Sequence, residues 1–306
     1  MSAVAAADDH AGAAKTAGFP EGARRAIDDY LELVDFDRTE PIGGVVDAMR
    51  YSLLAGGKRV RPVLALSTAK ALGGDPRRLM PFAAALELVH TYSLIHDDLP
   101  AMDDDDLRRG KPTCHVVYGE NVAILAGDAL FAEALRLVVS GQSGEPADVL
   151  AALNELLLAT GAGGMVGGQY IDIAGEVETA EALQHMHQLK TGRLIVASVK
   201  GAALVLGAEL ATVERLGAFA TELGTLFQII DDILDVTGSD ADLGKPSGSD
   251  ERHGKATYVS VFGLERARAL ADDSYRRVRE LLDAIDFRGD TTDLESVSAY
   301  IYSRDR

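Results

Sequence analysis

Phe227-Gln228-Ile229-Ile230-Asp231-Asp232-Ile233-Leu234-Asp235 closes an apolar segment that begins near Thr212. The apolar residues of that segment recur every three or four positions, the period of a helix with one buried face. If the helix over Thr212–Leu234 continues unbroken, Asp231 and Asp235 stand at i and i+4, on one face and about 6 Å apart along the axis. The same period, rich in Ala and Leu, governs Val63–Leu72, Met80–Ile95, Ala123–Val139, Val149–Thr160 and Ala180–Leu206. Breakers separate them at Gly73-Gly74-Asp75-Pro76, at Gly141-Gln142-Ser143-Gly144-Glu145-Pro146, and across Gly238 to Gly254. No stretch alternates with period two for long enough to form a sheet. The expected fold is all-α, a single large helical bundle around a central active-site cavity. Residues 1–18, rich in Ala, Gly and Asp without apolar periodicity, are expected to form a disordered tail, leaving 19–306 as one domain.

A second acidic cluster, Asp97-Asp98-Leu99-Pro100-Ala101-Met102-Asp103, follows the Met80–Ile95 segment, and Pro100 is placed to stop that helix. The clusters begin 134 residues apart, at Asp97 and Asp231, and each precedes a Gly-Lys-Pro, at Gly110-Lys111-Pro112 and Gly244-Lys245-Pro246. Without wider self-similarity, these are two matching corners of one site and not a repeat architecture. One acidic run alone reads as a solvated face. Two, each trailed by basic residues, point to a diphosphate held through Mg²⁺, which takes one or two carboxylates and fills its shell with water and phosphate oxygens. Asp104, Asp105 and Asp106 read as a solvated acidic turn. His90 and His96 are not metal ligands on this reading, because Mg²⁺ prefers oxygen and neither has a Cys or His partner at zinc spacing. His90, seven residues before Asp97, faces the same way as that carboxylate, which suits a diphosphate ligand. His185 and His187 point away from each other and are expected on the surface.

With 48 acidic against 30 basic residues, the net charge of -18 argues against nucleic acid and against an anionic membrane surface as partners. The clusters supply nine of those charges, at Asp97, Asp98, Asp103–Asp106, Asp231, Asp232 and Asp235, and bound Mg²⁺ would reverse their local sign. The lone Cys114 excludes an internal disulfide, fits a reducing compartment, and reads as a small partly buried hydrophobe. No uninterrupted apolar run approaches the 18 or so residues of a membrane helix, and the N-terminus has no basic segment followed by an apolar one. The expected location is the cytoplasm, with no membrane insertion.

The text from His90 to Thr113 and from Phe227 to Asp235 resembles the two aspartate-rich motifs of the trans-prenyltransferase (polyprenyl diphosphate synthase) family. Within that family the chain looks most like the bacterial farnesyl diphosphate synthases. The resemblance runs from about Gly43 to Arg306. It includes Gly56-Gly57-Lys58-Arg59-Val60-Arg61-Pro62, Gly167-Gly168-Gln169-Tyr170-Ile171-Asp172, Lys190-Thr191-Gly192 and Gly254-Lys255-Ala256-Thr257-Tyr258. Many relatives have a second glutamine directly before the second Asp-Asp pair, where this chain has Ile230.

The resemblance implies the isoprenoid synthase fold, a homodimer, and Mg²⁺-dependent head-to-tail (1'-4) condensation of dimethylallyl and geranyl diphosphate with isopentenyl diphosphate. About three Mg²⁺ per active site are implied, held by Asp97, Asp103 and Asp231, with Asp98, Asp232 and Asp235 in a second rank. Arg108, Lys190, Lys245 and Lys255 match contacts to the allylic diphosphate. Lys58, Arg61, His90 and Arg109 match the metal-free pocket for isopentenyl diphosphate, where Arg offers a planar fork and Lys a mobile point charge. Lys190, Thr191 and Gln228 match the groups set around the carbocation. Phe227 and Tyr118 are expected to pack in the core. Tyr92, with Ser93 beside it, matches the position where shorter-product enzymes carry an aromatic stopper, although a helical wheel sets Tyr92 off the Asp97 face. Farnesyl diphosphate is the expected product. The rivals are a geranylgeranyl diphosphate synthase, a terpene cyclase, which needs no second diphosphate pocket, and a catalytically silent subunit of a heteromeric synthase.

Overall fold

The computed structural model describes residues 18–37, 41–175, 177, 179–238 and 255–304. The tail expected over 1–18 lies outside the described residues apart from Gly18, as does the 239–254 stretch that includes Lys245. Four helices form the interior: α3 (Val60–Ala71), α4 (Met80–Asp97), α10 (Arg193–Val205) and α11 (Leu210–Thr237). Nearly every residue of α4 from Pro81 to Val89 is buried, so the helix reads in sequence as a continuous apolar run with only a weak stripe. Close backbone approach sets the packing of α10 on α4, because a side chain at Gly201 would enter the ring of Phe82.

Outside these lie α1 (Glu21–Leu33), α2 (Gly43–Leu53), α5 (Cys114–Tyr118), α6 (Glu120–Gly141), α7 (Pro146–Thr160) and α8 (Met165–Ala174). The outer set continues with α9 (Ala180–His187), α12 (Tyr258–Phe262), α13 (Leu264–Asp283) and α14 (Thr292–Ser303). α1 and α13 are amphipathic, burying Ile27 and Leu31, and Ala271, Val278 and Leu282, while their charged residues face water. Caps explain several starts. Thr179 accepts from Ala182 N, and Thr257 and Ser260 form a reciprocal capping box at α12.

The structure is all-α, as expected, with two local departures. Ala180–Leu206 is not one helix: α9 and α10 are joined by a π-helical turn over Gln188–Gly192. Between α4 and α5 a two-stranded antiparallel ribbon pairs Leu107 with Pro112 and Arg108 with Lys111. Its two-residue loop, Arg109-Gly110, has both φ values positive, at 54° and 73°, the backbone that a type I′ hairpin demands. Two-residue strands are too short to show alternation in a sequence.

The Pro146–Ala174 stretch is long and apolar enough to cross a membrane by length and composition. This qualifies the expectation that no apolar run approaches that length; turns at 161–164 divide the stretch into α7 and α8. α7 packs against α10, and 39% of the apolar window is buried within the protein.

Candidate active site

α4 and α11 bring Asp97 and Asp231 to the wall of one cavity of about 720 Å³. Lys58, Arg61, His90, Arg108, Arg109, Lys190 and Thr191 line the same cavity, as do Tyr92 and Ser93. Asp103, Gln228 and Lys255 do not line it but touch residues that do or touch one another: Gln228 takes the Thr191 hydroxyl at 2.9 Å. The Asp103 amide returns to the carbonyl of Asp97 at 2.9 Å, folding the end of α4 back on itself, and Lys255 Nζ meets the Asp103 carboxylate at 2.9 Å.

Burial pushes the Asp97 carboxyl up to about 6, and the neighbouring Asp103 pushes it the same way against the pull of Lys190 and Arg108. A carboxylate held out of water beside another acid is electrostatically short of a cation. Asp231 takes one from an unexpected source. Arg304, just beyond α14, pairs with it at 3.1 Å and lies 5.3 Å over the ring of Phe227. Nothing in the spacing of a charged C-terminal residue signals that placement. Phe227, expected in the core, lines the cavity, whereas Tyr118 packs edge-on against Tyr51 at 5.5 Å.

The second aspartate of each pair turns into the protein. Asp98 is buried under Arg108, whose Nε donates to it at 2.6 Å, and Asp105 adds a contact to the same guanidinium at 3.5 Å. Asp105 is thus part of an ion-pair frame and not of a solvated turn, whereas Asp106 is exposed. Asp232, fully buried, accepts from Gln228 Nε2 and from the Tyr258 backbone amide, each at 2.7 Å. Gln228 in turn accepts the Thr191 hydroxyl at 2.9 Å. His187, expected on the surface, is buried in this frame, stacked 5.6 Å from Tyr258 and 3.7 Å from Asp232. Burial lowers its pKa to about 4. Asp235 is also buried. The exposed His185 fits the surface expectation.

On the basic side, Arg59 sets the frame. Its backbone is left-handed (φ 53°), and its buried guanidinium bonds Asp28 at 2.9 Å, Glu87 at 2.6 Å and the Leu53 carbonyl at 2.8 Å. Arg59 carries no expected role from sequence, because a buried arginine cannot be told from its exposed neighbours by charge alone. Arg59 consumes the buried Glu87 carboxylate. Arg61 and Arg109 have no ion-pair partner among the described residues, and Arg61 Nε has no hydrogen-bond partner there. Burial, then the charges of Arg61 and Arg109, hold the His90 pKa well below its ordinary value, so the imidazole is neutral. Gly57 permits this crowding: at φ 125°, a side chain there would stand 2.8 Å from the Arg109 guanidinium carbon. Lys58 lies 5.4 Å over the Tyr300 ring.

Lys190 sits in the π-helical turn and pairs with Asp172 of α8 at 2.5 Å, and Lys255 reaches the same carboxylate at 3.6 Å. Burial alone would raise the Asp172 pKa, but the two ammonium groups overcome it and hold the carboxyl below its usual range. A π turn inside a helix commonly marks a functional position, and here it aims Lys190 and Thr191 at the cavity.

Among the described residues no three acidic, His or Cys side chains converge as a ready-made metal cage. That donor set suits Mg²⁺, which needs only one or two carboxylates when phosphate oxygens complete its shell, and it does not suit zinc. Asp97 and Asp231, both on the lining of this cavity, are the groups that would hold it.

The Polyprenyl synthetase family model matches residues 44–292. The chain belongs to the polyprenyl synthetase family. It is 47% identical over 247 residues to a farnesyl diphosphate synthase of Geobacillus stearothermophilus, covering 79% of this chain and 82% of that one. It is 48% identical over 248 residues to the large subunit 1 of a heterodimeric geranylgeranyl pyrophosphate synthase of Arabidopsis thaliana, covering 78% and 67%. Its fold matches a crystal structure of a geranyltransferase from Helicobacter pylori, solved with magnesium and isoprenyl diphosphate, at a TM-score of 0.82 and 32% identity, covering 90% and 94%. Membership makes the chain a prenyltransferase. As a polyprenyl synthetase it presents one metal-compatible acidic wall and one basic wall to a shared cavity. The placement of Tyr92 differs from the helical-wheel expectation, because it lines the cavity together with Asp97 and sets its ring edge-on to Phe131 of α6 at 5.4 Å.

Proposed function

We propose that the protein condenses dimethylallyl and then geranyl diphosphate with isopentenyl diphosphate, head to tail, giving farnesyl diphosphate. One observation carries the assignment of two diphosphates to one cavity. Asp97 and Asp231 supply acidic groups suited to a metal-bound diphosphate, and the same cavity carries the half-buried Arg61 and Arg109, which have no ion-pair partner among the described residues. A terpene cyclase needs only the acidic groups.

Bound at Asp97, Asp103 and Asp231, about three Mg²⁺ would neutralise the charge that develops on the departing diphosphate. Arg108, held by Asp98, and Lys190 and Lys255, held by Asp172, present fixed positive charge to the allylic diphosphate; Lys245 belongs with them by its place in the motif. Lys58, Arg61, His90 and Arg109 bind the diphosphate of isopentenyl diphosphate, the neutral His90 acting as a hydrogen-bond donor. Binding there fixes the attacking double bond against the allylic carbon. The Thr191–Gln228–Asp232 chain orients the hydroxyl of Thr191 at the cavity edge. The released diphosphate takes the final proton, so no protein carboxylate is needed as a base.

Tyr92 on the cavity lining, backed edge-on by Phe131, supports a limit on the growing chain at fifteen carbons rather than twenty. A homodimer is supported by exposed apolar side chains concentrated on α5 to α8, among them Val117, Leu125, Val139, Leu150 and Leu158. The acidic composition and single cysteine support a cytoplasmic enzyme acting on small molecules, without nucleic acid or membrane insertion.

The two walls are separable by kinetics. Arg61→Ala raises the KM for isopentenyl diphosphate at least tenfold and leaves that for geranyl diphosphate within threefold, whereas Lys190→Ala acts on the allylic substrate and kcat. If both variants moved the same substrate's KM, the assignment would be wrong.

A further inference from the structure

Gln169 is a polar group of the cavity that the functions above leave unused. It lines the cavity, is only 8% exposed, and neither Oε1 nor Nε2 has a hydrogen-bond partner among the described residues. Buried amides are nearly always paired, so an orphaned one calls for a reason. Its position is built. Gly168 packs against the π-helical turn so closely that a Cβ would stand 2.6 Å from the Lys190 Cα, which sets Gln169 beside Lys190 and Thr191. One turn further along α8, Asp172 anchors the Lys190 ammonium at 2.5 Å. Gln228, the glutamine that the family motif nominates for the carbocation, has both ends of its amide committed: the carbonyl to Thr191 and the NH₂ to Asp232. The uncommitted amide of this wall is Gln169.

We propose that Gln169 is a catalytic residue whose side-chain carbonyl faces the allylic cation as it forms; the inference rests on the prenyl transfer assigned above. In that reaction the allylic C–O bond breaks and both electrons leave with the diphosphate. The π electrons of the isopentenyl double bond form the new C–C bond, and a proton from the adjacent carbon passes to the released diphosphate, restoring an alkene. Positive charge on carbon exists only between these events. A fixed carbonyl dipole aimed at it lowers the transition state more than the ground state. A neutral amide does this without trapping the cation, whereas a carboxylate in its place would capture it as an ester. The amide NH₂ is left to donate to the departing diphosphate.

The test uses the full chain with Mg²⁺, isopentenyl diphosphate and geranyl diphosphate. Gln169→Met keeps length and volume but removes the dipole, and Gln169→Asn keeps the amide but withdraws it. Single-turnover C–O cleavage is expected to fall about 30-fold in Gln169→Met and about tenfold in Gln169→Asn, with both KM values within threefold of wild type. The melting temperature of Gln169→Met stays level or rises, because the unpaired amide is gone. Cleavage within threefold of wild type in both variants, or losses that track a falling melting temperature, would overturn the proposal. A wild-type protein that forms no condensation product would instead overturn the reaction on which it rests.

Discussion

Asp97 illustrates a cost that function imposes on stability. Its carboxyl titrates near 6 in the folded protein against 3.8 for the ordinary group, so the native state holds that proton more tightly than the unfolded chain. Stability contributed by the protonated form is lost as pH rises from about 4 through 6, which amounts to about 2–3 kcal/mol at pH 7. Asp97→Asn is therefore expected to raise the melting temperature of the metal-free protein while lowering kcat at least a hundredfold; an unchanged or lower melting temperature would refute the electrostatic account. His187 works with the opposite sign. Its pKa of about 4 in the fold lies below the ordinary 6.5, so stability is lost as pH falls from about 6.5 toward 4. Replacing it with Phe, which keeps the stack on Tyr258, should flatten that acid limb in a pH series of chemical denaturation. That Asp97 and Asp231 meet at one cavity was legible because each acidic cluster ends an apolar helical segment and precedes a Gly-Lys-Pro. The inward turn of Asp98 and Asp232 was not, since their partners Arg108 and the Tyr258 amide meet them only in the folded chain. Arg304 was hidden for the same reason.

Two short elements decide where the site's cations point. The Arg109-Gly110 hairpin and the Gly56-Gly57 turn are fitted to each other, with the Arg109 guanidinium donating to the Gly56 carbonyl over the bare Cα of Gly57. Gly57→Ala adds a methyl group where the guanidinium lies and strains a backbone at φ 125°. The expected result is a tenfold or greater rise in KM for isopentenyl diphosphate with the allylic KM little changed; an equal effect on both substrates would contradict the placement of Arg109. At the floor, Tyr92 meets both His96, at 5.7 Å, and Phe131. Tyr92→Ala alone should pass part of the product from fifteen to twenty carbons, and Tyr92→Ala with Phe131→Ala should pass more. Product held at fifteen carbons in the double variant would put the floor elsewhere. The long helices were readable because burial imposes a 3.6-residue period on them. The π-helical turn was not, because one extra residue per turn over Gln188–Gly192 hardly disturbs an apolar pattern, and neither was a ribbon of two residues on each side.

At the scale of the whole molecule, the net charge of -18 opposes an anionic substrate, and the Lys and Arg side chains that line the cavity beside Asp97 and Asp231 offset that field locally. The helical class and the family were legible because apolar period and motif order survive in a linear text. The cavity was not, since its volume depends on how α4, α8 and α11 stand relative to one another. The exposed apolar surface of α5 to α8 is likewise a property of packing, and sedimentation of the purified chain should show a dimer that Leu125→Glu with Leu150→Glu dissociates. A monomeric wild type would remove the dimer from the account. In the proposed reaction one cavity joins a metal-bound allylic diphosphate to isopentenyl diphosphate. Its most direct measurement is incubation of the purified protein with Mg²⁺, isopentenyl diphosphate and labelled dimethylallyl diphosphate, followed by chromatography of the products. The predicted result is label in farnesyl diphosphate, dependent on both Mg²⁺ and isopentenyl diphosphate. Label recovered in a cyclised hydrocarbon, or unchanged in dimethylallyl diphosphate, would contradict it.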